Sequence, residues 1–85
     1  MRLINPESDE TVGQAQLYLS PNEARSLVKE IEKLLIDPEA SEHFHLFSED
    51  GGCEVSCSVV TGAKLASGGY TAEERRAFRG WKPKP

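Results

Sequence analysis

Eighty-five residues with two cysteines and a net charge of −4 make one domain, which buries only about 60–65% of its unfolded surface and has little room for a deep active-site cavity. No apolar run approaches the ~20 residues that span a bilayer, and Met1-Arg2 leads into no signal-peptide core, so the expectation is a soluble chain with a cytoplasmic address and no membrane association. Residues 1–70 carry five Lys and Arg against twelve Asp and Glu, net −7, and residues 71–85 carry five against two, net +3; the body repels nucleic acid and only the tail attracts it.

Residues 1–5 read as a short first strand. The polar link PESDET at 6–11 is too long for a two-residue hairpin loop. Residues 12–19 alternate in their second half, with Ala15, Leu17 and Leu19 one way and Gln14, Gln16 and Tyr18 the other. That pattern predicts a second strand with one buried face.

The helix predicted over 20–36 organises the rest. Ser20, Pro21 and Glu23 match a capping box with proline at the first helical position: the serine oxygen accepts from the Glu23 amide while the Glu23 carboxylate reaches back to the Ser20 amide. Ala24, Leu27, Val28, Ile31, Leu34 and Leu35 recur at steps of three and four, with Arg25, Lys29, Glu30, Glu32 and Lys33 on the wet side. Asp37-Pro38 ends it, because the residue before proline is pushed out of the α region. A helix of this length is marginal alone in water, so the stripe is expected to be buried on neighbouring strands.

A connector at 38–41 leads to a hairpin. Residues 42–47 alternate, Glu49-Asp50-Gly51-Gly52 supplies a turn tolerant of positive φ, and 53–60 alternate again. Two registers are open: Leu46 opposite Val55 with Phe44 opposite Cys57, or Leu46 opposite Cys57 with Phe44 opposite Val59. Either puts Phe44, Leu46, Cys53, Val55, Cys57 and Val59 under the helix, and His43, His45 and Phe47 on the other face with Glu54, Ser56 and Ser58. Cys53 and Cys57 on one strand stand about 13 Å apart, too far for a disulfide, and are read as buried thiols. Residues 61–70, with three glycines, read as a loop. Residues 71–79 read as a second helix, with Thr71 and Glu74 at capping-box spacing and Gly80 as its stop; residues 80–85 read as a flexible tail. The expected fold is α+β in the order β-β-α-β-β-α: a single, mostly antiparallel sheet of about four strands with one long amphipathic helix packed on one face.

Three constellations carry possible chemistry. His43 and His45 project to one side of a strand and can share a metal through their ring nitrogens, with Glu54 as a third donor; no motif of specific metal-ligand spacing supports them. Arg75, Arg76, Arg79 and Trp81 mix cations with an aromatic, the ingredients of a nucleic-acid contact, but sit beside an acidic body. The SGGYT segment is glycine-rich without the spacing of a phosphate loop. Ser56 and Ser58 lie on the histidine face, yet nothing supplies oxyanion donors or a closed pocket, so no catalytic residue, enzyme activity or cofactor is expected. What remains is the sheet face away from the helix. It shows Tyr18, His43, His45 and Phe47, aromatic residues with few charges, as a surface that meets another protein or a second copy does.

The run LYLSPNEARSLVKEIEKLL, followed by a spacer and HFHLF, resembles small immunity proteins of bacterial polymorphic toxin systems over about residues 14–60. Those have a strand, an LSPEEA-type helix and an HxHL-type strand in the same order; the end, SGGYTAEERRAFRGW, has no counterpart in them. The resemblance implies a stoichiometric protein inhibitor, and an acidic body suits a basic nuclease target. The reading is therefore a small interaction module acting through that sheet face, with a stoichiometric inhibitor of the immunity type as the form the resemblance implies. The alternatives are a metal- or ligand-binding protein centred on His43 and His45, and a nucleic-acid accessory using the basic tail.

Overall fold

The computed structural model describes residues 1–40 and 42–85. In chain order its elements are β1 (Ile4–Asn5), β2 (Glu10–Thr11), α1 (Pro21–Ile36), β3 (His43–Phe47), β4 (Glu54–Ser58), α2 (Gly62–Ser67) and α3 (Ala72–Ala77). The class is α+β, but the expected four-stranded sheet is overturned: among the described residues β1 pairs only with β2 and β3 only with β4, as two separate antiparallel sheets. The missing piece is the strand expected at 12–19, where β2 stops at Thr11 and residues 14–20 have no regular structure. Alternation makes a segment able to pair; it does not supply a ladder partner. Here β1 and β2 close on themselves, through the amides of Ser8 and Asp9 donating to the Asn5 carbonyl and that of Val12 to Leu3. The chain divides into two units, Tyr18–Val60 and Met1–Leu17 with Thr61–Pro85.

In the unit Tyr18–Val60, α1 begins where the capping box places it. Glu23 N donates to Ser20 Oγ at 3.1 Å, and Ser20 N donates to Glu23 Oε1 at 2.8 Å. The other carboxylate oxygen of Glu23 accepts from the Glu49 amide at 2.8 Å, tying the helix start to the hairpin turn. The hairpin adopts the first of the two registers, with Leu46 opposite Val55 and Phe44 opposite Cys57. Its loop is longer than two residues, because Ser48 N donates to Cys53 O and Gly51 N to Ser48 O. Ser48 Oγ donates to Asp50 Oδ1, which also accepts from Gly52 N, and Gly51 takes φ +73°. Phe44 is the buried apolar side chain of the described residues, at 8% exposure; Leu46, Val55 and Cys57 are half-buried beside it. The apolar stripe of α1 is only partly covered. Leu27 and Leu34 are half-buried, whereas Val28, Ile31 and Leu35 are exposed, which corrects the expectation of a buried stripe. Residue 41, at the end of the expected connector, lies outside the described residues.

In the other unit, the expected loop at 61–70 contains α2. Thr61 Oγ1 accepts from Lys64 N at 3.1 Å, and Gly68 closes the helix in the left-handed region at φ +75°. Helix α3 starts at its own capping box, Thr71 with Glu74. It ends at Ala77, two residues short of the expected Arg79, and Gly80 takes φ +77° just beyond. Phe78 sits between Tyr70 and Trp81, at 5.0 and 5.7 Å between ring centroids. The Arg2 guanidinium lies 5.1 Å over the Trp81 ring, and its Nε donates to the Ala77 carbonyl, a cation at a helix C-terminus. Among the described residues no helix is long and apolar enough to cross a membrane.

Candidate functional site

The candidate site is the face of the β3–β4 hairpin turned away from Phe44. Because side chains alternate along a strand, His43, His45 and Phe47 form one row on β3, and Ser58, Ser56 and Glu54 stand opposite them in register. All six are exposed. The rings touch in sequence: His43 meets His45 edge-on at 5.0 Å, and His45 lies nearly parallel to Phe47 at 6.3 Å. Phe47 ends the row at 62% exposure.

Polar groups hold this row in place. Ser56 Oγ and His45 Nδ1 share a hydrogen bond of 2.9 Å, and Glu54 Oε2 stands 3.6 Å from the same nitrogen. Both partners therefore use Nδ1. A serine relay needs the hydroxyl and the carboxylate on opposite ring nitrogens, an arrangement these two contacts at Nδ1 do not make. His43, His45 and Glu54, the sequence candidates for a metal, share the face. Among the described residues no group of three or more His, Cys, Asp and Glu side chains is arranged to hold a metal ion.

Tyr18 does not join this face by strand parity, since the strand that was to carry it is absent. It lies in the segment leading into α1, 83% exposed. Cys53 falls outside β4 and is exposed, contrary to its expected place under the helix, and Cys57 is half-buried with its thiol pKa pushed up by burial. The nucleic-acid candidates part company. Arg75, Arg76 and Arg79 are exposed, Arg76 sharing an open groove with Asp9, Glu10 and Glu73. Trp81 is half-buried between Phe78 and Arg2. With one face under a guanidinium, this indole is not the free stacking platform that a base requires.

Sequence reasoning missed three groups. The Glu23–Glu49 bond joins residues 26 apart and the Arg2–Ala77 bond residues 75 apart, separations at which no local pattern signals. The third is Lys64, a lysine buried on α2. Thr61 three residues ahead of it and Gly68 beyond the Ala-Lys-Leu-Ala run were the available signs of that helix. No family model, curated protein or solved structure matches the chain.

Proposed function

We propose that this chain is a small bacterial interaction module, acting in the cytoplasm as a stoichiometric inhibitor of the immunity type and not as an enzyme, with the ring row of the β3–β4 hairpin as its binding face. The observation that carries this reading is the exposure of Phe47 at the end of the His43–His45–Phe47 row. Rings held by neighbours lose little freedom on binding, and interface energy concentrates in aromatic anchors that a partner desolvates. Tyr18 supplies a second aromatic in the same unit. The net charge of −4 suits a basic target by steering association. The LSPNEA-to-HFHLF order supports the immunity form by resemblance.

The test is neutralisation of a toxin, sought first in the gene next to the one for this chain. Wild type is expected to protect cells at a one-to-one ratio. Tyr18→Ser with Phe47→Ser is expected to keep the circular dichroism of wild type and bind the toxin about tenfold or more weakly. Full protection by the double variant, or no protection by wild type, overturns the reading.

A further inference from the structure

Helix α1 has a wider apolar sector than its hairpin covers. At 100° per residue, Glu23, Leu27, Glu30 and Leu34, all half-buried, share the side toward β3. Val28 and Leu35 lie about 100° round the axis from Leu27 and Leu34, at 57% and 58% exposure, with Ile31 at 36% between them. Ala24, itself half-buried, continues that line by one turn. We propose that Ala24, Val28, Ile31 and Leu35 are the seam of a homodimer in which α1 packs antiparallel against α1 of a second copy.

Spacing and charge pick out both the occupant and its direction. The four residues fall at alternating steps of four, three and four, the a/d pattern of a coiled-coil seam. Packed antiparallel, Ala24 meets Leu35 of the second copy and Val28 meets Ile31, and the two-fold axis repeats both layers. Small faces large at each end and two branched chains meet in the middle. In the same arrangement Arg25 and Glu32, which flank the seam on one side, fall between the same two layers, so each arginine meets the other copy's glutamate. A parallel pair would stack Ala24 on Ala24, leave a void there, and bring Arg25 near no acidic flank. Arg25 has only Asn22 of its own helix as a polar partner, and Glu32 has none among the described residues. The helix is already formed by its capping box and held at the hairpin turn, so association carries no helix-forming cost. Leu27 and Leu34 occupy the other flank, so both hairpins fall on one side of the helix pair and both ring rows stay outward.

Sedimentation velocity on the full chain, from about 5 to 500 μM at low salt, reads the equilibrium. Wild type is expected to pass from monomer to dimer over that range. Val28→Gln with Leu35→Gln exchanges exposed positions for a good helix former and should stay monomeric with unchanged circular dichroism. Arg25→Glu and Glu32→Arg should each weaken the dimer about fivefold, and the two together should restore it, because the swap rebuilds the pair in the antiparallel arrangement. Phe47→Ser should leave the dimer intact, which separates this interface from the proposed binding face. A monomeric wild type, a dimer indifferent to the glutamine pair, or a charge swap that fails to restore it overturns the proposal.

Discussion

Glu23 shows how much one side chain holds at the residue scale. Its carboxylate accepts from the Ser20 amide and the Glu49 amide, so a helix cap and a hairpin turn share one anion. The Ser20 bond first, and the Glu49 bond after it, hold its pKa below the ordinary glutamate value; Asp50 is lowered likewise, chiefly by the Ser48 hydroxyl and then by the Gly52 amide. A carboxylate lowered on folding adds stability that is fully present above its unfolded pKa, about 4 for Asp and Glu, and is lost as pH falls through the folded value. The melting temperature is therefore expected to be level from about pH 7 to 5 and to fall below about pH 4. Glu23→Gln should lower the plateau and flatten the acid limb, as a pH series of melting curves will read. Tyr70 poses the opposite case. Its hydroxyl is buried without a hydrogen-bond partner among the described residues, and burial, then the Glu74 charge, raises its pKa. Tyr70→Phe is expected to be neutral or to stabilise by up to about 1 kcal/mol in urea unfolding.

The β3–β4 hairpin is the most completely specified element. Parity sets its faces and leaves two registers open, and the loop built on Ser48, Asp50 and a left-handed Gly51 carries the first of them. Gly51→Ala forces a Cβ into that conformation and should cost about 1 kcal/mol. Phe44→Ala empties the one buried apolar position among the described residues and should cost about 3 kcal/mol or more, a large share of the stability of so small a chain. Leu27 is only half-buried, so Leu27→Ala should cost about 1–2 kcal/mol, below the range for full burial, and Lys29→Ala close to nothing. Urea denaturation of the four variants checks the order. A loss at Leu27 equal to that at Phe44 would mean that α1 is buried far more deeply than its exposed Val28 and Leu35 imply.

At the scale of the whole molecule the scarcity of enclosed side chains is the dominant fact. No described side chain is fully buried, and Tyr18, Val28, Leu35, Ile36 and Phe47 are all more than half exposed. Such a surface gains stability by association, and mass action makes that gain depend on concentration. The melting temperature of wild type is expected to rise between about 10 and 500 μM, and that of the Val28→Gln/Leu35→Gln variant to stay constant. Zinc or nickel, by contrast, is expected to leave the melting temperature unchanged, with wild type and His43→Ala/His45→Ala responding alike. A shift abolished by the double alanine variant would favour the metal-binding alternative over the interaction module.

Local chemistry determined much of this protein before any tertiary contact formed. The two capping boxes, the glycine at the hairpin turn and the parity of 43–47 against 54–58 each depend on residues within reach of one another along the chain or across one turn, and each appears where its residues place it. Parity likewise put His43, His45 and Phe47 on one face. Helix α2 was missed although Thr61 and Gly68 bracket it, because three glycines in ten residues outweighed the caps. Pairing partners were a different matter. Residues 12–19 alternate as a strand does, but whether they join a ladder depends on which edge comes within about 5 Å, and no periodicity encodes that. The same holds for the stripe on α1: its spacing shows that six apolar residues share a sector, while the width of the hairpin beneath decides which are covered. Tertiary structure alone left Val28, Ile31 and Leu35 in the open, because a two-stranded sheet about 10 Å wide is too narrow to cover a 120° sector.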